Sequence, residues 1–556
     1  MVVHAKELKE AFVSGHDGTT ALEIVAVTHV AIAGVVLRKA IAGARIGGSP
    51  GDAIRGFAMD VATIVAPCVI SVTALADRAA ELALALSLAA AVVAAFCRRS
   101  GDWVSPPADA RSFVRDALGE YRAVLCLYTF VGILAVDFHA FPRRFAKAET
   151  YGIGLMDLGV GSFVVSDALF SGPTNGDGRD AGARRRRLAR SDAASLRLVA
   201  LGVLRPLAVK TLGYQEHVGE YGVHWNFFLS LAAVKAASAR LLATRSVAGP
   251  LACAGLALLA AHQFLLTGSW WRLADVVCAE DPTGNGRGHW GLMAQNKEGI
   301  ISLPGMIALH LLARAIAAWI GIAAARTAAP SPAAAIEGNG KESGKENGKR
   351  GGGVEADASH AGIAGRTAAA ACVAWTCFAC VDLWLERISR RAANASYVFW
   401  ILASNLTWLA SFMGGACLCC GPRDGPREAY AGRREEGDGS EAMTLGVCQG
   451  VGKSTPHAAH TRTRTRTHTR TRRHAGTHAR VDMPAVCAAV NGCAFESFLA
   501  ANVLTGAING GLDTLRVGDG AAVCVVAAYA TLLVAAASLR HGRKRREGRA
   551  VPSHQA

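Results

Sequence analysis

The stretch Ile133–Ser166, ILAVDFHAFPRRFAKAETYGIGLMDLGVGSFVVS, decides how this chain is read. It sets Asp137, Arg143, Arg144, Lys147, Glu149 and Asp157 between two apolar runs of membrane length. Ionisable side chains at bilayer depth are costly, so where they persist they usually serve function. Pro142 ends the first helix soon after Asp137. Lys147 lies beyond that break, where a turn can bring both side chains to one membrane depth. A nearby cation keeps a buried carboxylate ionised, so Asp137 and Lys147 suit a base with an electrostatic stabiliser. An ion pair that only locks the turn fits the same residues. Arg143 and Arg144 carry forked donors suited to phosphate, and equally suit snorkelling at a helix end. Asp157, inside the second run, must face the bundle and find a partner there.

Outward from this segment the chain stays apolar. Its 556 residues are 51% hydrophobic, with a mean hydropathy of +0.27. Windows of about 20 apolar residues recur, long enough to cross a ~30 Å hydrocarbon core. About thirteen such windows can be drawn: 21–42, 54–75, 77–97, 121–140, 153–172, 195–212, 223–242, 248–268, 300–325, 362–384, 397–418, 484–508 and 520–539. None alternates with period two, so the expected fold is an all-α, polytopic transmembrane bundle. The first twenty residues are polar, so the first window is expected to act as an uncleaved anchor. The 15 cysteines show no repeated spacing and read as small packing residues rather than a disulfide framework.

The net charge of +16 is concentrated in Arg184–Arg187, Arg462–Arg473 and Arg540–Arg549. In a membrane protein such runs mark the cytosolic side, and they do not call for nucleic acid. Counting from a cytosolic basic tail, 541–556, places the N-terminus in the lumen. The loops 43–53, 98–120, 173–194, 326–361 and 419–483 then fall in the cytosol. The membrane domain is expected over 1–330 and 362–420, with the last two spans in 483–540. Residues 331–361 read as a flexible linker and 421–482 as a low-complexity insertion. GVGKST at 450–455 lacks the first glycine of a phosphate loop and any preceding strand.

Three more clusters hold polar groups at the ends of apolar runs. YQEHVGEYGVHWN, 214–226, offers His224 as a base and Trp225 and Asn226 as sugar or interface contacts. His217 and His224 are seven residues apart, which makes a metal site a poor reading. MAQNKEGIISLPG, 293–305, places Asn296, Lys297 and Glu298 before a helix with an early Pro304, where backbone amides can meet an anion. ANVLTGAINGGLDTL, 501–515, lays Asn502, Thr505, Asn509 and Asp513 on one helical face. Such a face lines a head-group pocket or holds helices together.

With these stretches in hand, the chain resembles the inositol acyltransferases of glycosylphosphatidylinositol (GPI) anchor biosynthesis. LKEAFVSGHDGTTALEI at 8–24, Ile133–Ser166, GYQEHVGEYGVHWNFF at 213–228, NKEGIISLPG at 296–305 and FLAANVLTGAINGGLDTL at 498–515 carry the resemblance, in the family's order. The resemblance implies a multi-pass endoplasmic reticulum enzyme. It would move a fatty acyl chain, typically palmitoyl, from coenzyme A to the inositol ring of glucosaminyl-phosphatidylinositol. Acyl-CoA would be a co-substrate, with no permanently bound cofactor and no metal. The partners implied are the glycolipid, palmitoyl-CoA and membrane lipids, without nucleic acid. Asp137 and Lys147 fall on the family's catalytic positions. Arg143, Arg144, His224, Trp225, Asn226, Asn296, Lys297 and Asn502 are then candidates for substrate contacts. Two other classes are kept in view. One is a membrane-bound O-acyltransferase with a histidine base, which His310 and His262 fit loosely without a polar constellation around either. The other is a polytopic transporter of a lipid or anionic solute.

Overall fold

A computed structural model describes residues 12, 14–42, 50–100, 107, 109–171, 181–212, 221–222, 224–244, 248–270, 272–279, 295–321, 360–420 and 483–550. Of the expected linker 331–361, residues 331–359 lie outside the described residues and 360–361 open a helix; the insertion 421–482 and the polar cluster up to Glu220 also lie outside them.

The described chain is helical. In order the helices are α1 (Ala21–Ala42), α2 (Pro50–Asp60), α3 (Ala66–Ser71), α4 (Ala79–Ser100), α5 (Ala110–Ala135), α6 (Leu155–Phe170), α7 (Ala181–Leu212), α8 (Phe227–Thr244) and α9 (Ala248–Thr267). They continue with α10 (Leu273–Cys278), α11 (Lys297–Ile301), α12 (Leu303–Trp319), α13 (His360–Trp384), α14 (Ala395–Cys419), α15 (Ala485–Gly492), α16 (Ala494–Gly511) and α17 (Asp519–Ala550). A π-helical turn, Val61–Val65, joins α2 to α3.

Nine described helical stretches are long and apolar enough to cross a membrane; a tenth forms if α15 and α16, bent by 87°, count as one span. The count of thirteen is therefore not confirmed. The windows 153–172, 195–212 and 223–242 contain helix, but α6 has only 16 residues, α7 is studded with arginine, and α8 carries Lys235 and Arg240. Helix α17 continues past its apolar part through the basic residues Arg540–Arg549 to Ala550.

Helices α5 and α14 form the hub, with Trp400, Trp408, Tyr121 and Tyr397 wholly buried. Lipid supplies no hydrophobic drive between helices, so polar side chains buried between them act as glue. Tyr121 donates to Asn405 Oδ1 at 2.6 Å, and Asn405 donates to Ser162 Oγ at 2.9 Å, tying α5, α14 and α6. Trp408 Nε1 donates to Thr28 Oγ1 at 3.1 Å and brings in α1. Gly34 lets α1 lie directly on the π-turn: a Cβ there would stand 2.0 Å from the Thr63 carbonyl.

Exposed tryptophans mark the two ends, with Trp270 after α9 and Trp384 closing α13 at one, and Trp319 closing α12 at the other. The N-terminal segment, the α5–α6 loop, Tyr221–Asn226, the start of α11, the α13–α14 loop and the end of α16 all gather at the first of these ends. Contacts among them show the grouping: Thr19 with Ile153, Gly152 with Ile388, Asn509 with Asp137, His224 with Asn296 and Arg390 with Tyr221. The opposite end holds a buried Lys39–Glu120 pair at 2.9 Å and an Arg38–Asp60 pair at 2.6 Å.

Candidate active site

Helix α5 ends at Ala135, and the chain turns at once. Arg143, on a short 3-10 turn, folds back over that turn. Its guanidinium donates to the carbonyls of Val136 (3.0 Å), Phe138 (2.9 Å) and Phe141 (2.7 Å) and stacks 3.9 Å above the Phe12 ring. Burial pulls Arg143 down to about 10, against the opposing field of Asp137, so it stays charged at neutral pH. Its forked donors thus hold the loop that carries Asp137.

Asp137 is half-buried. Asn509, from the last turn of α16, donates to its Oδ2 at 2.7 Å. Two polar clusters 372 residues apart in sequence therefore meet at one carboxylate. Lys147 follows the 3-10 turn and is also half-buried. Its position is set from the next residue on: Ala148 N–H donates to Asp157 Oδ2 at 2.9 Å, and Gly154 N–H to the same oxygen at 3.0 Å. Asp157 Oδ1 accepts from Arg390 Nε at 2.7 Å, and both side chains are sealed from solvent. Asp157 thus has the interior partner its position required.

The α13–α14 loop does more than supply Arg390. Arg391 pairs with Glu149 at 2.6 Å, Ser389 Oγ donates to the Thr150 carbonyl at 2.7 Å, and Gly152 N–H donates to the Ile388 carbonyl at 3.0 Å. Tyr151 donates to Glu386 at 3.1 Å, and burial, then Cys278 and Glu386, push its phenol up. Gln263 of α9 donates to the other Glu386 oxygen at 2.6 Å. On the opposite side, Thr19 N–H donates to the Ile153 carbonyl at 2.6 Å and Glu149 N–H to the His16 carbonyl at 2.9 Å. Gly18, at φ +78°, makes that approach possible, since a Cβ would stand 2.3 Å from the Ile153 carbonyl oxygen. The Lys147 loop is clamped from both flanks.

Arg144 turns outward to Glu23 at 2.9 Å and Asp77 at 2.5 Å. Burial lowers it, and the two carboxylates outweigh burial and raise it above the usual guanidinium value.

The remaining candidates mostly work inside the fold. Asn226 caps α8, accepting from Phe228 and Leu229 and donating to the Gly202 carbonyl at 2.7 Å. Trp225 donates to Ser230 Oγ at 2.8 Å, and its ring lies against Gly299. Asn296 is buried and accepts from His224 N–H at 2.8 Å. The His224 ring itself is exposed. Lys297 reaches the Ala279 carbonyl at 3.0 Å. Asn502 is exposed and donates to its own helix at Phe498. Arg390 lies 5.8 Å from the Tyr221 ring centroid, which links this cluster to the Asp157 clamp.

Three contributors escaped the sequence reading: Arg390, Arg391 and the meeting of Asn509 with Asp137. ERISRR, 386–391, is a charged turn between two spans, as the 141–147 stretch is. That signal was available. His310 also needs correction, because it has a polar constellation: its Nε2 lies 3.3 Å from Asp167 Oδ2, and Lys235 reaches Oδ1 of the same aspartate at 2.5 Å. Among the described residues no group of three or more His, Cys, Asp or Glu is arranged to hold a metal.

The family profile of GWT1 matches residues 5–539. The chain belongs to the GWT1 family. GPI-anchored wall transfer protein 1 of Aspergillus fumigatus is 29% identical over 96% of this chain and 97% of its own length. The Aspergillus oryzae protein of that name is 33% identical over 56% of this chain and 65% of its own length. Glucosaminyl-phosphatidylinositol-acyltransferase PIGW of Bos taurus is 34% identical over 55% of this chain and 62% of its own length.

Proposed function

We propose that this GWT1-family chain is an inositol acyltransferase of GPI-anchor biosynthesis. It transfers a fatty acyl chain, palmitoyl-type, from acyl-CoA to a hydroxyl of the inositol ring of glucosaminyl-phosphatidylinositol. One observation carries the reading: Asp137 stands half-buried at the end of the bundle where the stretches that resemble the family converge, on a loop braced by Arg143 and faced by Asn509. The name of the bovine relative supports the acyl transfer and the glycolipid acceptor.

In this mechanism Asp137 takes the proton of the inositol hydroxyl as that oxygen attacks the thioester carbonyl carbon. The C–O bond forms and the carbonyl electrons move onto oxygen. The Lys147 ammonium stabilises that oxyanion. Collapse breaks the C–S bond, and the proton held by Asp137 passes to the departing thiolate. The products are the inositol ester and free coenzyme A, and the carboxylate is restored. Acyl-CoA is a co-substrate in this scheme, and no resident cofactor takes part. The site end of the bundle faces the lumen of the endoplasmic reticulum, with the basic C-terminus in the cytosol.

The test is acyl transfer in membranes from cells lacking their own inositol acyltransferase, with labelled palmitoyl-CoA and glucosaminyl-phosphatidylinositol. The expected product carries label in an alkali-labile ester on the inositol. Absence of product from a folded chain would overturn the assignment. A second reading rests on the buried Asp167–His310 contact: a histidine base in an apolar segment, acting on another lipid hydroxyl. His310→Ala abolishing transfer while Asp137→Asn retains it would favour that reading.

A further inference from the structure

We propose that Asn509 is a positioning residue for Asp137, holding the carboxylate ionised and oriented toward the acceptor hydroxyl. The inference deepens the acyltransferase reading and rests on Asp137 being its base.

Asn509 comes from a helix with an unusual path. α15 and α16 meet at an 87° bend, so α16 is the second arm of a broken element. Broken elements are tolerated at membrane depth where they are buried in protein or line a cavity. Thr505, one turn before Asn509, hydrogen-bonds Tyr529 of α17 at 3.1 Å and anchors the arm. The Asn509 amide then spans two acceptors, its own helix at the Thr505 carbonyl (3.2 Å) and Asp137 Oδ2 (2.7 Å). The shorter bond goes to the carboxylate.

A Cβ added at Gly506, one turn before Asn509, would meet nothing within 4 Å, so no described neighbour packs on the arm at that position. Arg143, by contrast, spends its donors on backbone carbonyls and acts on Asp137 only through its field.

A donor to a carboxylate favours its charged form, and a base must be charged to work. Removing the amide therefore moves the acid limb of the pH–rate profile to higher pH. A second carboxylate in its place moves it further. The other titratable or charged groups here are His139, Arg143 and Lys147 on the same loop. Beyond them lie the Asp513–Arg516 pair after α16 and Arg144 with Glu23 and Asp77. None of these changes in the variants below.

The experiment measures transfer by the full chain in acyltransferase-deficient membranes, at several pH values, for the parent, Asp137→Asn, Asn509→Ala, Asn509→Asp and Asn509→Gln. Asn509→Ala is expected to lower kcat about ten- to hundredfold, the range for a hydrogen bond to a charged group. KM for the glycolipid should stay within about threefold. The acid limb should rise by about one pH unit in Asn509→Ala and more in Asn509→Asp. Asn509→Gln, which keeps the donor, should restore the limb. An inactive parent, or a fully active Asp137→Asn, would remove the acyltransferase reading or its base. With the parent active and Asp137→Asn silent, an unmoved acid limb in both Asn509→Ala and Asn509→Asp overturns the inference. Loss of folded protein in Asn509→Ala leaves Asn509→Asp and Asn509→Gln to decide by the same limb.

Discussion

Asp137 and Asp157 stand twenty residues apart in one loop–helix segment, and their surroundings could hardly differ more. Asp157 is sealed from solvent, faces a guanidinium at 2.7 Å and accepts two backbone N–H groups. Asp137 is half-buried and meets a neutral amide. A carboxylate saturated by fixed donors in a dry interior is a fastener. A carboxylate within reach of an incoming group, in the field of a cation that stays on its own loop, is able to exchange a proton. Charge count in the sequence does not separate them; their partners from distant segments do.

The comparison can be broken by substitution. The largest effect is expected from Asp137→Asn, which should cut acyl transfer about 10²- to 10⁴-fold, the usual contribution of a positioned base. Its unfolding temperature in detergent should stay near the parent's. An equal loss of stability would erase the contrast.

Next comes Arg390→Ala, which leaves Asp157 buried without its cation and should cost about 3–5 kcal/mol. Thermal unfolding of the purified chain reads this directly. The double change Asp157→Asn with Arg390→Met should recover part of the loss, because removing both charges avoids the unpaired one. No recovery would mean the clamp works through packing alone.

Arg143→Lys is expected to cost about 1–3 kcal/mol, since an ammonium cannot reproduce the forked bonds to three carbonyls. Transfer should fall with it, because the Asp137 loop loosens. The smallest effect is expected at the hub. Asn405→Leu should cost about 1–2 kcal/mol, in line with interhelical hydrogen bonds in membranes, and should leave the pH profile of transfer in place.

Much of this was legible in the sequence. Apolar windows without period-two alternation gave a helical membrane bundle, and Asp137, Lys147 and Asp157 stood out because charge in such windows is rare. The span count was harder, since α6 is short and α7 and α8 carry charge. The role of Asp157 followed from its depth, but its partner did not. Arg390 is 233 residues away, and only the packing of α14 onto α6 brings it in. For the same reason the face of α16 was visible while its choice of residue was not. Asn502 and Asn509 share the face, yet only Asn509 reaches Asp137. Trp225, Asn226 and Asn296 stood out as polar or aromatic groups at a helix mouth, and their hydrogen bonds to Ser230, Phe228 and His224, which cap and brace that mouth, were not legible from spacing.

The most direct measurement is a side-by-side comparison of Asp137→Asn and Asp157→Asn, each scored for acyl transfer per folded molecule and for thermal unfolding. The account predicts a crossed result: Asp137→Asn keeps its stability and loses transfer, while Asp157→Asn loses stability and its surviving folded fraction still transfers. Parallel losses in both measurements by both variants would contradict it.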